Sequence, residues 1–284
     1  MKSVVITGVS TGIGYASAKV LIKSGFHVFG SVRKQEDAAR LVHEFGASFT
    51  PLVFDMTDEP ALKQAAEQVR QELNGETLYG LVNNAGIVVT GPLLQLSSQD
   101  LRYQLEVNVV GVLNVTQAFA PLLGCDSALQ GSPGRIINIG SVSGKLAFPF
   151  IGAYTISKFG LEAFNDTLRQ ELSLYGIPVI LVGPGPVKTP IYDKAAKNLS
   201  SVSQQSDYAP SILQSRILFE ERWKSALPAE RVAVVVLKAL NDPHPKLRYP
   251  VFSNTFRDWI LPRLLPQRMV DAALTKQLGL KHKN

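Results

Sequence analysis

Short apolar runs alternate with amphipathic helical patterns along the first two thirds of this chain. The runs, in chain order, read SVVITG, HVFGSV, FTPLVFD, LYGLVNNAG, GRIINIGS and IPVILVGPGP. Strand and helix in alternation are typical of a parallel sheet covered on both faces, and strands buried on both sides are apolar throughout. The sequence therefore predicts an α/β fold with a doubly wound, mostly parallel sheet of about six strands, the Rossmann arrangement that binds dinucleotides.

The predicted domain organisation follows from the part of the chain in which strand and helix patterns alternate. No linker rich in Pro, Gly or Ser and no internal repeat divides the chain before residue 190, so we expect a single domain over residues 1–284. Residues 2–190 form its cofactor-binding and catalytic core. The alternation is lost over residues 190–230, which we interpret as a helical excursion across the strand ends, where ligands of such sheets bind. Residues 250–284 form a C-terminal tail.

Composition excludes several classes of function. The net charge of +6 is dispersed without a basic, aromatic-interleaved stripe, so nucleic acid is not an expected partner. A single cysteine, Cys125, excludes an internal disulfide framework, and the four histidines show no metal-ligand spacing, so no metal is expected. The opening MKSVVITG enters a strand at once, and no apolar run reaches about 18 residues. We therefore expect a cytoplasmic protein without an integral membrane span.

The segment TGVSTGIG follows the first apolar run and opens the first helical pattern. Gly8, Gly12 and Gly14 allow a tight turn and a close approach of the backbone, so a pyrophosphate can lie against free amides at the positive end of the helix. The glycine spacing differs from the common dinucleotide fingerprint, but the strand–turn–helix context is the one that such a loop requires. We interpret the loop as a nucleotide site, with a plain tight turn as the alternative.

The segment YTISK places Tyr154 and Lys158 four residues apart at the start of a helical pattern. Four residues are about one helical turn, so both side chains project the same way, and a nearby ammonium favours the phenolate over the phenol. Such a tyrosine can act as an acid. The alternative is a core aromatic residue beside a solvated surface lysine.

Six motifs together make the chain resemble the short-chain dehydrogenase/reductase family from Lys2 to about Pro190. TGVSTGIG, NNAG at 83 to 86, Asn108, Ser141, YTISK and PGPVKT at 184 to 189 occur in that family's order. Two longer segments, LEVNVVGVLNVTQAF and GRIINIGSVSGKLAFPFIGAYTISKFGLEAF, resemble the sequences of one branch of that family. This branch contains retinol dehydrogenases, hydroxysteroid dehydrogenases and other carbonyl reductases.

The resemblance implies catalytic roles for four residues. Tyr154, its pKa lowered by Lys158 and by the positive nicotinamide of a bound cofactor, would donate a proton to a carbonyl oxygen on reduction and accept it on oxidation. Ser141 would polarise that oxygen, with Ser143 as the rival serine. Lys158 would also bind the nicotinamide ribose. Asn108 would anchor a water that joins Lys158 to solvent, and its alternative is a helix-interior amide satisfied by backbone.

The resemblance also implies a set of cofactor contacts. Asp55 would bind the adenine amino group, unless it is only a turn or helix N-cap carboxylate. Asn83 would tie neighbouring strands together, and PGPVKT would present Val187 and Thr189 to the carboxamide unless it is a plain turn. The full predicted set is Gly8, Ser10, Thr11, Gly12, Ile13, Gly14, Arg33, Asp55, Met56, Asn83, Ala85, Gly86, Tyr154, Lys158, Val187 and Thr189.

The end of the second strand, HVFGSVRK, bears on which dinucleotide is used. Enzymes that use NAD place an acidic residue there, whereas an arginine suits a 2′-phosphate. This chain has Val32 and Arg33, with Ser31 beside them and no carboxylate before Glu36. We therefore predict NADP, with NAD as the alternative, although Thr11 stands where many relatives that prefer NADP carry a second basic residue.

The predicted activity is hydride transfer between NADP(H) and an alcohol/carbonyl pair. The expected substrate is an apolar ketone or aldehyde, because the residues predicted to form the walls include no clamp for an anion. Ser141 and Tyr154 would bind its carbonyl oxygen, and the predicted apolar walls are Phe148, Phe150, Ile151, Tyr192 and Leu199. The family resemblance implies a homodimer or homotetramer. The alternatives are a non-catalytic redox sensor that binds dinucleotide, a scaffold protein, and a membrane-associated retinoid or steroid dehydrogenase that uses NAD.

The tail interleaves Trp259, Leu264 and Leu265 with arginines, and Pro262 and Pro266 break it. No helix long enough to span a bilayer can form across these prolines. Peripheral contact with an anionic membrane is one interpretation. We favour the other, in which these apolar side chains cap the substrate pocket or bury against a neighbouring subunit.

Overall fold

The structure is a computed structural model that describes residues 1–191, 193, 195, 199 and 205–280. Within them, the strands are β1 (Ser3–Ile6), β2 (His27–Val32), β3 (Phe49–Val53), β4 (Gly80–Asn83), β5 (Arg135–Ile139), β6 (Val179–Pro184) and β7 (Arg248–Val251). All are parallel, in the order β3-β2-β1-β4-β5-β6-β7. The predicted doubly wound parallel sheet is confirmed, and its strand order reverses between β1 and β4, where such sheets bind ligands.

Helices cover both faces of this sheet. In the described part of the chain they are α1 (Gly12–Lys23), α2 (Gln35–Phe45), α3 (Glu59–Leu73), α4 (Ser98–Leu105), α5 (Gly111–Phe119), α6 (Gly152–Glu171), α7 (Ala209–Lys224), α8 (Ala229–Asn241), α9 (Leu261–Leu264) and α10 (Gln267–Gln277). Two π-helical segments, Glu106–Val110 and Phe256–Ile260, precede α5 and α9.

Two apolar cores form because successive side chains of a strand point to opposite faces. Val4 and Ile6 of β1 belong to the core shared with α1 and α8, whereas Val5 belongs to the core shared with α3 and α5. Every residue of β2 is buried, as expected for an inner strand of a parallel sheet. These cores hold the strand ends in fixed register beneath the site.

The seventh strand, β7, is one more than the sequence predicts. It is only four residues long, pairs with β6, and contains Arg248 and Pro250. A proline lacks a ladder donor and is tolerated at a sheet edge, where β7 lies. Arg248 donates to both Glu162 and Asp166 of α6, so this edge is also tied to the helix that carries Tyr154.

The helical stretch Ser98–Leu123 is long and apolar enough to cross a membrane by length and composition alone. It includes α4, a π-helical segment and α5, and it carries Asn108. Val115, Phe119 and Leu123 are fully buried in the core beneath the sheet. We interpret it as a core helix of the fold, because one of its faces is packed in this core.

Candidate active site

A cavity of about 780 Å³ opens at the carboxyl ends of the strands. Its wall includes residues that follow β1 to β6 directly, together with parts of α7 and of the C-terminal tail. It is continuous from the glycine loop to Tyr154 and on to Leu278. One cavity can therefore hold both an extended cofactor and a second molecule.

The glycine loop closes one end of the cavity. Gly8 and Gly12 adopt φ of 72° and 63°, which other residues rarely adopt. A side chain at Gly14 would lie 2.2 Å from the carbonyl oxygen of Gly8, so the helix can start this close to the loop only with glycine there. No side chain caps the N-terminus of α1, and its first turn carries no acidic residue. Its first amides and the positive end of its dipole therefore suit a phosphate group.

Side chains that the sequence did not single out lock this loop. Asn84 donates from its amide group to the carbonyl oxygens of Thr7 and Gly8, at 2.8 and 3.1 Å. The Gly8 amide donates to the hydroxyl of Ser31, at 2.9 Å. Ser31 thus supports the loop and also lines the cavity next to Arg33. Asn83 ties β4 to β5 as expected, donating to Asn138 at 2.9 Å.

Ser141, Tyr154 and Lys158 meet at the middle of the cavity. Ser141 follows β5, Tyr154 and Lys158 lie on one face of α6, and all three line the cavity. The Lys158 ammonium lies 5.7 Å from the centre of the Tyr154 ring and donates to the carbonyl oxygen of Ile139 at 2.8 Å. The sequence motifs therefore converge on one polar spot in an otherwise apolar wall.

Burial sets the protonation of this group. It lowers the pKa of the Lys158 ammonium from its ordinary 10.5 to about 8. Burial also raises the pKa of the Tyr154 phenol, and interaction with the Ser141 hydroxyl lowers it only in part. The sequence-based expectation that Lys158 lowers the pKa of Tyr154 is thus wrong for the protein's own groups, because desolvation of the phenolate dominates. The phenol is protonated at neutral pH and can donate.

Ser141 and its rival Ser143 have different environments. The Ser143 amide donates to the Ser141 hydroxyl at 3.1 Å, which fixes the Ser141 side chain at the start of a short 3₁₀ turn. Both serines line the cavity, but the interaction with Tyr154 belongs to Ser141. The geometry favours Ser141 as the partner of the tyrosine.

Asn108 lies in the π-helical segment before α5 and is almost fully buried. Its amide oxygen accepts from the Ile87 amide at 2.9 Å, and its nitrogen donates to the Ile87 carbonyl and to Ser157 at 3.0 and 3.1 Å. Ser157 in turn donates to the carbonyl oxygen of Tyr154 at 2.7 Å. These contacts fit the alternative interpretation, in which the Asn108 amide is satisfied by hydrogen bonds within the protein. They also hold the part of the cavity wall beside Tyr154 in position.

Gln104, which the sequence did not single out, works in the same way. It is fully buried in α4, accepts from the Val89 amide at 2.7 Å and donates to the Ile87 carbonyl at 3.0 Å. Gln104 and Asn108 lie four residues apart and so share a helix face, which is the pattern that could have revealed the pair.

The opposite end of the cavity carries Arg33 and Asp55. Their side chains are 64% and 45% exposed, and the guanidinium lies 3.9 Å from the carboxylate. Asp55 also accepts from the amide and hydroxyl of Thr57, so it is a turn carboxylate as well as a cavity residue, and the N-cap of α3 is Asp58. Met56 is buried against Gly111 of α5 and lines the cavity.

The other predicted cofactor residues line the same cavity. They are Ser10, Thr11, Gly12, Ile13, Ala85, Gly86, Val187 and Thr189. Thr189 packs close to Gly12, where an added side chain would lie 3.2 Å from its methyl group. The PGPVKT turn and the glycine loop therefore face each other across the entrance.

The predicted substrate walls are only partly in place. Phe148 and Ile151 line the cavity. Phe150 instead packs in a separate small core with Leu199 and Leu278, at a φ of 68°, so neither Phe150 nor Leu199 lines the cavity. A strained turn reverses the Phe150 side chain, which sequence reasoning cannot foresee. Tyr192 lies outside the described residues.

The tail supplies the rest of the apolar wall. Trp259 is buried, its ring centre 5.5 Å from that of Phe252 and 4.9 Å from the Arg263 guanidinium. The tail residues that line the cavity are Asp258, Leu261, Pro262, Leu265, Met269, Val270, Ala273, Leu274, Gln277 and Leu278. The favoured interpretation, in which the tail caps the pocket, agrees with this placement.

The excursion over residues 190–230 was expected to form part of the pocket wall, and α7 within it does so, although the sequence did not single out its individual wall residues. Ser215, Leu218, Phe219 and Arg222 line the cavity. Their spacing of three, four and seven residues puts them on one helix face. The pattern was available in the sequence, but its mixture of polar, apolar and charged residues does not stand out as amphipathic.

Comparison with known proteins defines the class. The sequence profile described as short chain dehydrogenase matches residues 2–200, and the chain belongs to that family of oxidoreductases. It is 38% identical over 278 residues to an NADPH-dependent 3-dehydrocapnine reductase of Ornithobacterium rhinotracheale, covering 98% of each chain. It is 34% identical to human retinol dehydrogenase 5, over 96% of this chain and 87% of that one.

A solved short-chain dehydrogenase from Streptomyces avermitilis has the same fold. The TM-score is 0.77 at 24% identity, covering 98% of this chain and 96% of that one.

Proposed function

We propose that this protein is an NADP(H)-dependent carbonyl reductase or alcohol dehydrogenase that acts on an apolar ketone or aldehyde. One observation carries the proposal: Ser141, Tyr154 and Lys158 converge in a cavity that is continuous with an uncapped glycine loop. A redox sensor that only binds dinucleotide has no need of a proton donor beside an apolar chamber.

The residues present fit a dinucleotide. The glycine loop would hold the pyrophosphate, Arg33 and Asp55 would contact the adenosine part, and Val187 and Thr189 would contact the nicotinamide. All of these residues line the cavity or the loop that closes it. When bound, the nicotinamide supplies or accepts the hydride. The fit rests on the cradle at Gly14 and on the uncapped start of α1.

The chain's own residues handle the proton. Tyr154 keeps its proton at neutral pH because burial raises the pKa of its phenol, so it can donate to a carbonyl oxygen as that oxygen gains charge. Ser141 holds the same oxygen, and the Lys158 ammonium lies beside the tyrosine ring to stabilise the phenolate that remains. In the oxidative direction Tyr154 would accept the alcohol proton once it is deprotonated, a form that the Lys158 ammonium and the positive nicotinamide of the bound cofactor favour.

Two features support NADP over NAD. Arg33 is exposed at the end of β2, and its guanidinium reaches only a long, solvated ion pair with Asp55, so it can take a 2′-phosphate. The relative from Ornithobacterium rhinotracheale is named NADPH-dependent. NAD is the alternative cofactor.

The same proposal includes the location and the oligomeric state: the protein is cytoplasmic and forms a homodimer or homotetramer. Val110, Leu113, Ile156 and Phe159 are 38% to 44% exposed and lie on the helical stretch of Asn108 and on α6. Apolar residues exposed on neighbouring helices suit a subunit interface. Light scattering on the purified protein tests the oligomer.

Turnover with a panel of carbonyls tests the activity. NADPH oxidation is followed with long-chain aldehydes, retinal, steroid ketones and small aromatic aldehydes, and each is repeated with NADH. We expect turnover with apolar members and a higher kcat/KM with NADPH. Cofactor binding without turnover on any carbonyl or alcohol would favour the sensor.

A further inference from the structure

The substrate half of the cavity carries a cation that the proposed chemistry does not use. Five charged residues line the whole cavity within the described chain: Arg33, Asp55, Lys158, Arg222 and Asp258. Arg33 and Asp55 belong to the proposed cofactor site, and Lys158 lies beside the proton donor Tyr154. Asp258 already interacts with another group of the protein. Arg222 remains.

Arg222 lines the cavity with an exposed side chain, and none of the described carboxylates pairs with it. Its guanidinium carbon lies 5.5 Å from the centre of the Phe148 ring, within the range of a cation–π contact. Among the described residues its guanidinium makes no ion pair or hydrogen bond. Its planar fork of N–H donors is therefore available to a ligand.

The position of Arg222 in the fold places its N–H donors in the part of the cavity where the substrate would bind. Phe148 belongs to the segment between Ser141 and Tyr154, and Arg222 extends the cavity-facing stripe of α7 that includes Leu218 and Phe219. The tail closes the same chamber with aliphatic side chains such as Leu265, Met269 and Leu274. Among the described residues, the chamber thus combines a long apolar wall with the planar cation of Arg222.

We propose, building on the carbonyl reductase function above, that the natural substrate is an anionic amphiphile recognised by Arg222. It carries an apolar chain, a carbonyl or hydroxyl group at Tyr154, and an acidic group such as a carboxylate, sulfonate or phosphate. Arginine matches the oxygens of all three groups with paired hydrogen bonds. This revises the expectation of a purely apolar pocket, because the sequence analysis placed the excursion of residues 190–230 over the site without singling out Arg222.

Competition between decanoate and decanol tests the proposal. Both share one apolar chain and differ in the charged head, and each is measured as an inhibitor of reduction of a neutral aromatic aldehyde by the NADPH-bound enzyme. The wild type is expected to bind decanoate more tightly. Arg222→Met should shift the ratio of the two inhibition constants about tenfold against decanoate, the effect of losing a hydrogen-bonded charge partner.

Two variants control this ratio. Lys224→Met removes a positive charge from the same last turn of α7 but outside the cavity, and it should leave the ratio unchanged. Arg222→Lys should restore part of the preference, because it keeps the charge and loses the planar fork. An unchanged ratio in Arg222→Met, or a wild type without preference for decanoate, overturns the proposal.

The test remains decisive if no carbonyl is turned over. Direct calorimetric titration of decanoate and decanol into the protein with NADPH gives the same ratio without catalysis. Absence of turnover then counts against the proposed reductase function alone, whereas loss of the ratio counts against recognition of an anion by Arg222.

Discussion

The Lys158 ammonium donates a hydrogen bond to the carbonyl oxygen of Ile139, 2.8 Å away, and so ties the middle of α6 to the last residue of β5. Because β5 leads directly to Ser141, this bond helps to set the distance between the serine and the tyrosine. It also leaves a charge in a desolvated place, which explains why the pKa of Lys158 falls to about 8.

The first prediction concerns pH and stability. Between pH 8 and the ordinary pKa of 10.5, the unfolded chain keeps the Lys158 proton while the folded protein loses it. The free energy of unfolding should therefore gain up to about 1.4 kcal/mol per pH unit from this residue over that range. Below pH 8 both states hold the proton, and the cost of burying the charge is fully present.

Urea unfolding of the wild type and Lys158→Met from pH 7 to pH 10 measures this contribution. The stability of the wild type relative to the variant should rise above pH 8, and Lys63→Met, at an exposed position of α3, should show no such trend. Measurements stop at pH 10, because Tyr154 also contributes above that pH. Its pKa is raised in the folded state, so the folded protein holds a phenol proton that the unfolded chain loses. A flat difference from pH 7 to pH 10 would contradict the assigned pKa.

The second prediction is that Tyr154→Phe keeps fold and cofactor affinity but lowers kcat by about 10² or more, since a general acid contributes roughly 10² to 10⁴-fold. The ring still packs, and only the hydroxyl is lost. Lys158→Ala should lower kcat and also weaken nicotinamide binding. Stopped-flow turnover measures the effect on kcat, and fluorescence titration with NADPH measures the effect on cofactor binding. Near-wild-type turnover of Tyr154→Phe would contradict the role of Tyr154 as the general acid.

The third prediction assigns cofactor preference to Arg33. Arg33→Ala should raise the KM for NADPH about tenfold or more with little change for NADH, because a charge-assisted fork to the 2′-phosphate is lost. Lys34→Ala, at the neighbouring exposed position outside the cavity, is the matched control. A parent enzyme that already prefers NADH on kcat/KM contradicts the assignment.

The structure also limits how this preference can be redesigned. Val32 is 3% exposed, packs in the core with α1 and also borders the cavity. An aspartate there, as many NAD enzymes carry at the strand end, would also remove an apolar side chain from that core. Substitution at Arg33 alone is therefore the cleaner test.

The fourth prediction concerns the ion pairs beneath α6. Glu162, with a side chain 5% exposed, accepts from Lys145 and Arg248 at 3.0 Å, and Arg248 also reaches Asp166 at 2.6 Å. Arg248→Met would leave a buried carboxylate underpaired and should cost about 3 kcal/mol of unfolding free energy. Arg169→Met removes a more exposed pair with Asp166 and should cost less than about 1 kcal/mol. Equal effects of the two variants in urea unfolding would contradict this account.

Local patterns in the sequence explain what could be predicted. The six apolar runs became β1 to β6, because inner strands of a parallel sheet must be apolar on both faces. Tyr154 and Lys158 met because helix spacing alone places them together. By contrast, β7 was missed because a short edge strand with Arg248 and Pro250 needs little apolar character.

Properties that depend on distant parts of the chain could not be foreseen. The pKa of Tyr154 is raised because of burial, which the spacing to Lys158 does not report. Phe150 turned away from the cavity because of a left-handed backbone conformation. The helical excursion across the strand ends was predicted, but which face of α7 lines the cavity, and so the place of Arg222, depends on how that helix packs.

The fifth prediction concerns the tail as a cap of the pocket. Trp259 is 6% exposed and packs on Phe252, which follows β7, so it anchors the apolar wall formed by α9 and α10. Trp259→Ala should raise the KM for an apolar carbonyl several-fold and leave the KM for NADPH nearly unchanged. Phe256→Ala, on the same segment but 61% exposed, is the matched control. Equal effects of the two substitutions on KM would contradict the anchor.

The same packing predicts how the full chain behaves with membranes. Trp259 is buried, and three of the exposed apolar residues of the tail, Leu261, Leu265 and Met269, line the cavity. The remaining exposed large apolar residues of the described tail, Phe256, Ile260 and Leu264, are too few to bury a continuous apolar face in lipid. The remaining attraction of arginines to anionic headgroups is screened within about 8 Å at physiological salt. The protein should therefore stay unbound in flotation with anionic liposomes. Stable co-flotation, abolished by Phe256→Ser with Leu264→Ser, would instead show that the tail docks the protein on a bilayer.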